Sequence, residues 1–160
     1  MTVQHECYDC RHHSLGHPCR VAGILDVDGL AAHYVREFCR PLPSTPGADE
    51  DQHWSFCCVS GLVEMDPERA WLFVLSAVRQ LRTVEQAMYF AAGPLEELIA
   101  YHGPKVIERV ETEDRRSPRF RQVLKGVWPL GTRHTPEWKR VEMLQRATPS
   151  LDSTDLLPEF

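Results

Sequence analysis

The chain has 160 residues and a mass of 18.4 kDa, the size of one domain with at most a small appendage. Hydrophobic residues at 42% and charged residues at 26% exclude a wholly disordered chain and a long coiled coil, and no apolar run approaches the roughly 18 residues of a membrane helix. A formal net charge of −5 argues against a surface that grips nucleic acid on every side.

Residues 1–28 form the first of three zones, a Cys/His-rich arm. The opening, MTVQHECYDCRHH, has no apolar stretch of signal-peptide length, so a cytoplasmic location with reduced thiols is the expectation. Cys7-x-x-Cys10 is the spacing that lets two thiolates reach one tetrahedral ion from a tight turn, and Cys19 follows. His17 is the candidate fourth ligand, with His5, His12, His13 or Cys39 as alternatives, and zinc suits such a mixed sulfur and nitrogen set. The competing reading is a metal-free arm, because no second C-x-x-C or H-x3-H accompanies the first pair. Val21–Val27 can form a short extended piece at most.

Residues 29–147 read as helices. Asp28 is the expected cap of a first helix with Ala31, Tyr34, Val35 and Phe38 inside, ended by Pro41. The stretch 41–52, PLPSTPGADEDQ, is a loop by composition. Its acids Asp49, Glu50 and Asp51 are candidate contacts for a basic partner protein. A second helix runs from about His53 to Met65, with Trp54, Cys58, Leu62 and Met65 on one face. Asp66-Pro67-Glu68 supplies a cap, a proline at the first helical position and an acid at the positive end of the dipole. The helix it opens is apolar on more than one side (Trp71, Leu72, Phe73, Val74, Leu75, Val78), as expected of a central helix.

Thr83 and Gln86 fit a capping box for a fourth helix through Ala91. Gly93-Pro94 opens a fifth, with Leu95, Leu98 and Ile99 inside, and His102-Gly103-Pro104 closes it and opens a sixth around Val106, Ile107 and Val110. Ser117-Pro118 starts a helix with Phe120, Val123, Leu124 and Val127, and Trp128 continues its core spacing. Thr135-Pro136-Glu137 starts the last, with Trp138, Val141 and Leu144 inside. Short connections between such helices predict antiparallel hairpins, packed in the manner of a HEAT-like array. The fold expected is therefore all-α, with a polar tail at 148–160.

Charge is unevenly placed. Residues 101–146 hold eleven basic and six acidic residues, a net +5, against −10 for the rest of the chain. Arg115, Arg116, Arg119 and Arg121 gather at one helix–helix junction, where they can meet an acidic partner or a phosphate backbone. The plainer reading pairs them with Glu108, Glu111, Glu113 and Asp114. No metalloprotease, nucleophile-elbow, phosphate-loop or dinucleotide signature is present, so no catalytic residues are expected. His102 reads as a helix-terminus residue before a general base.

The block Ala92-Gly93-Pro94-Leu95-Glu96-Glu97-Leu98, with His102-Gly103, Val106 to Glu111, Ser117-Pro118-Arg119-Phe120-Arg121 and Leu124-x-Gly126-Val127-Trp128, resembles an uncharacterised bacterial helical family of unknown function. Asp66 to Trp71 resembles its usual approach, and the likeness spans about residues 53–128. Ser117 stands where that family more usually has an acid. The resemblance implies a bacterial all-α domain and carries no activity with it. The expectation for function is a protein-binding module of the immunity or antitoxin kind. The alternative is a small zinc-containing regulator touching nucleic acid through the basic patch.

Overall fold

The computed structural model describes residues 19–21, 24–41 and 54–159. A minimal antiparallel pair, β1 (Arg20–Val21) and β2 (Ile24–Leu25), precedes the helices in the register Arg20↔Leu25 and Val21↔Ile24. The helices are α1 (Val27–Phe38), α2 (Trp54–Met65), α3 (Pro67–Gln80), α4 (Val84–Phe90), α5 (Glu96–Arg116), α6 (Pro118–Leu124) and α7 (Pro136–Ala147). A π-helical turn, Ala91–Leu95, links α4 to α5. The all-α reading of the sequence is correct.

Four helix starts are capped by residues next to them in the chain. Asp66, Thr83, Ser117 and Thr135 accept from the backbone N–H groups of Arg69, Gln86, Phe120 and Trp138, and Gln86 completes the capping box. Proline opens α3, α6 and α7, where its missing N–H costs nothing. One start differs from expectation. Asp26 caps α1, accepting from Gly29 N–H at 3.0 Å, because α1 begins two residues earlier than expected. Asp28 is thereby moved into the first turn, where its carboxylate takes the Ser76 hydroxyl across to α3.

Helix α3 is the centre and packs against α1, α2, α5 and α6. Phe73, Phe90 and Phe120 are fully buried, with Leu30, Leu62, Leu81, Leu95, Leu98 and Leu124 around them. Burying one such side chain is worth about 1.5–3 kcal/mol, against about 0–1 kcal/mol for an exposed ion pair, so this core and not the surface charge holds the fold. Gly126 lets α6 meet α4 closely: a Cβ there would lie 2.7 Å from Ala91 Cβ and 3.3 Å from the Met88 backbone. The α1–α3 contacts run in opposite order (Asp28 with Ser76 and Gln80, Tyr34 with Phe73), which is antiparallel. Those of α3 with the α5–α6 run ascend together, Glu68 with Arg109 and Arg79 with Arg119, and so do those of α5 with α7, Gly103 beside Glu137 and Glu111 with Arg140. Helices α3, α5 and α7 thus share one sense.

Three apolar residues assigned to the core from spacing lie outside it. Met65 is the last residue of α2 and extends beyond its packed face. Leu72 is 55% exposed on α3. Trp128 is 69% exposed, since α6 has ended four residues before it and helical periodicity no longer applies. The expected break at His102-Gly103-Pro104 is a kink inside α5: His102 departs from helical geometry (φ −129°, ψ 23°) and the helix continues through Pro104. The tail docks. Val84 and Glu85 donate their N–H groups to the Asp155 and Ser153 carbonyls, Leu157 N–H donates to Arg82 O, and the Leu157 side chain is buried. Two of the N–H groups that open α4 therefore find partners in the tail. No helix among the described residues is long and apolar enough to cross a membrane.

Candidate functional site

Polar side chains of the motif do two different things in the fold. The first is to close helix C-termini, whose last carbonyls have no partner within their own helix. His102 Nε2 lies 3.0 Å from both Val63 O and Glu64 O at the end of α2. Both are acceptors, so Nε2 carries the proton and donates. Arg119 donates to Arg79 O and Leu81 O at the end of α3, and its Nε donates to Pro158 O of the tail at 2.7 Å. The ends of α6 and α7 close each other. Gln145 Nε2 donates to Leu124 O and Val127 O, and Lys125 Nζ donates to Gln145 O and Thr148 O. Cationic groups at these ends also meet the negative pole of each helix. Glu96, nearly buried, accepts the Trp128 backbone N–H at 2.8 Å.

Glu97 is half-buried beside the π turn. Burial, and then the neighbouring Glu96 charge, push its carboxyl above the usual range. Tyr34 packs against Phe38, Phe73 and Phe90, and burial raises its phenol well above the usual range. His33 Nδ1 lies 2.8 Å from the hydroxyl of Ser55, which is fully buried, while His33 itself is half-buried.

The second use is a groove between α3 and α5, about 350 Å³ in volume. Trp71 and Leu75 form its apolar wall, and Glu108, Arg109, Thr112, Glu113 and Arg116 line it from α5. Arg109 is held by a bidentate pair with Glu68, at 2.7 and 2.8 Å. Glu113 is only 9% exposed, and its carboxylate has no hydrogen bond or ion pair among the described residues. Arg116 is exposed and equally unpaired among them. The exposed Leu72 precedes Leu75 by three residues on α3, the spacing of neighbours on a helix surface.

The four arginines expected to form one patch are divided. Arg115 and Arg116 are exposed, with Arg115 bonded to Thr112 Oγ1 at 3.3 Å. Arg119 is a helix clamp and not a free surface cation. Arg121 Nε is buried with no hydrogen-bond partner. Asp114 Oδ1 is in the same condition, and burial pushes the Asp114 carboxyl up against the opposing pull of Arg121 and Arg115. The expected pairing with local acids is replaced by longer-range partners: Glu111 bonds Arg140 of α7 at 2.6 and 2.7 Å.

Of the expected zinc ligands, Cys7, Cys10 and His17 lie outside the described residues, as do Asp49, Glu50 and Asp51. Cys19 and Cys39 are buried in the core cluster, and burial pushes the Cys39 thiol up to about 12. Among the described residues no three His, Cys, Asp or Glu side chains gather as a metal site. The groove was not singled out from sequence. Its one legible trace is the apolar excess of α3, where Leu72 lies beyond the stripe that the core needs.

The chain belongs to a family of unknown function (DUF6869), which matches residues 43–148. No curated protein and no solved structure matches it.

Proposed function

We propose that this member of a family of unknown function is a protein-binding module that holds its partner on the α3–α5 face. One observation carries the reading: an open groove walled by Trp71 and Leu75, with the exposed Leu72 three residues before Leu75 on the same helix, holds a carboxylate, Glu113, and a guanidinium, Arg116, that are both unpaired among the described residues. An apolar anchor beside unsatisfied polar groups is the composition of an interface centre and rim. Most of the other polar residues of the motif are occupied inside the fold, Glu96, His102 and Arg119 among them. An immunity or antitoxin role is the specific form of this reading, with the acidic chain covering a basic toxin surface.

A photo-crosslinking residue placed at position 72, in the native cell, tests the reading. One adduct of defined mass is expected from position 72 and none from position 88, an exposed methionine on α4 outside the groove. Absence of an adduct at 72, or the same adducts from both positions, overturns it.

A further inference from the structure

The groove has a chemistry of its own. Glu113 lines it with nine-tenths of its surface buried, yet no donor among the described residues satisfies the carboxylate. Unlike Asp114 Oδ1 and Arg121 Nε, its oxygens are not sealed from solvent, so the carboxylate is open to the groove and within reach of a ligand. Arg109 on the same wall is already engaged, its Nη2 donating to both carboxylate oxygens of Glu68. Trp71 and Leu75 supply the apolar wall of the same groove. A carboxylate in an indole-walled groove matches one kind of group. That group is a long side chain with a cationic head, whose methylenes lie on the apolar wall while the head reaches the carboxylate.

We infer that the α3–α5 groove is a receptor for an arginine or lysine side chain of a partner protein, with Glu113 as its counter-ion and Trp71 and Leu75 as its wall. This rests on the protein-binding reading and gives it a chemical identity. The slot is large enough for one such side chain, since ligand sites start at about 300 Å³. Glu108 at the mouth adds a second negative charge on the approach. Arg116, one turn beyond Glu113, sets the polarity: it favours a carboxylate next to the inserted basic residue and disfavours a second cation there.

The test uses the full chain and blocked single residues. Acetyl-arginine amide, acetyl-lysine amide, the neutral isostere acetyl-citrulline amide and acetyl-glutamate amide are titrated while the Trp71 indole N–H signal is followed by NMR. A Trp71→Phe variant assigns that signal. The arginine or lysine compound is expected to shift it saturably at millimolar concentration, as suits so small a ligand. Citrulline and glutamate compounds are expected to leave it in place. Glu113→Gln should weaken the binding about tenfold or more, the worth of a charge-assisted bond. Thr112→Trp fills the mouth from an exposed position, so it should block binding with Glu113 intact, and it serves if Glu113→Gln disturbs the fold. Citrulline binding as well as arginine, no saturable shift with either cation, or undiminished binding in a folded Glu113→Gln or Thr112→Trp variant overturns the inference. A position-72 adduct in the cell with no response here would refute the basic side chain and leave the protein-binding face standing.

Discussion

The capped helix ends and the α3–α5 groove use the same residue types in opposite ways. At the ends of α2 and α3, His102 and Arg119 each meet two carbonyls of another helix, and each is fixed by what it satisfies. In the groove, Glu113 and Arg116 meet nothing among the described residues. A polar side chain that closes the fold and one that waits for a partner therefore cannot be told apart by residue type. What separates them is whether a partner atom stands at hydrogen-bond distance.

Stability measurements sharpen that contrast. Arg119→Ala should have the largest effect, about 3 kcal/mol, because it strips partners from carbonyls at the end of α3 and releases the tail at Pro158. Denaturant unfolding reads the loss, and hydrogen exchange should speed up at Val84, Glu85 and Leu157, whose amides hold the tail. His102→Ala should cost less, about 1–2 kcal/mol, since it orphans two carbonyls at one helix end only. Exchange should rise at the C-terminal turn of α2 and remain unchanged at the tail.

Asp114→Asn probes a polar group that belongs to neither set. The folded-state pKa of Asp114 is raised, so the native protein holds a proton that the unfolded chain gives up. Its contribution is most favourable below the unfolded value of about 4 and is lost as pH rises from there through the folded value. Asp114→Asn is accordingly expected to raise the melting temperature at pH 7, with the advantage vanishing below about pH 4. Equal effects at both pH values would show that the carboxyl is ionised without penalty. The smallest effect belongs to the groove: Glu113→Gln should change folding stability by no more than about 0.5 kcal/mol, because nothing in the described fold depends on that charge. A loss comparable to that of His102→Ala would move Glu113 into the structural set and erase the contrast.

Much of the fold was legible because helix N-termini are local. Asp66-Pro67, Thr83 with Gln86, Ser117-Pro118 and Thr135-Pro136 place a cap oxygen within three residues of the N–H it accepts from. The exceptions are equally local in cause: a second aspartate, Asp26, competed for the start of α1, and Trp128 followed a helix that had already ended. The candidate site was far less legible. Arg119 and Arg116 stand three residues apart in one basic cluster, and the sequence offers no reason to send one to the end of α3 and the other to solvent.

The sequence by itself determined where helices begin, which stripes are apolar and that the chain is all-α, because these follow from spacings of a few residues. Only the tertiary structure decided how the helices end. The groups that close α2, α3, α6 and α7 come from 18 to 40 residues away, and no local pattern encodes such a pairing. The groove has the same origin. Trp71 and Glu113 become neighbours because α3 and α5 run in the same sense with α4 between them in the chain, a relation set by packing and not by any residue alone.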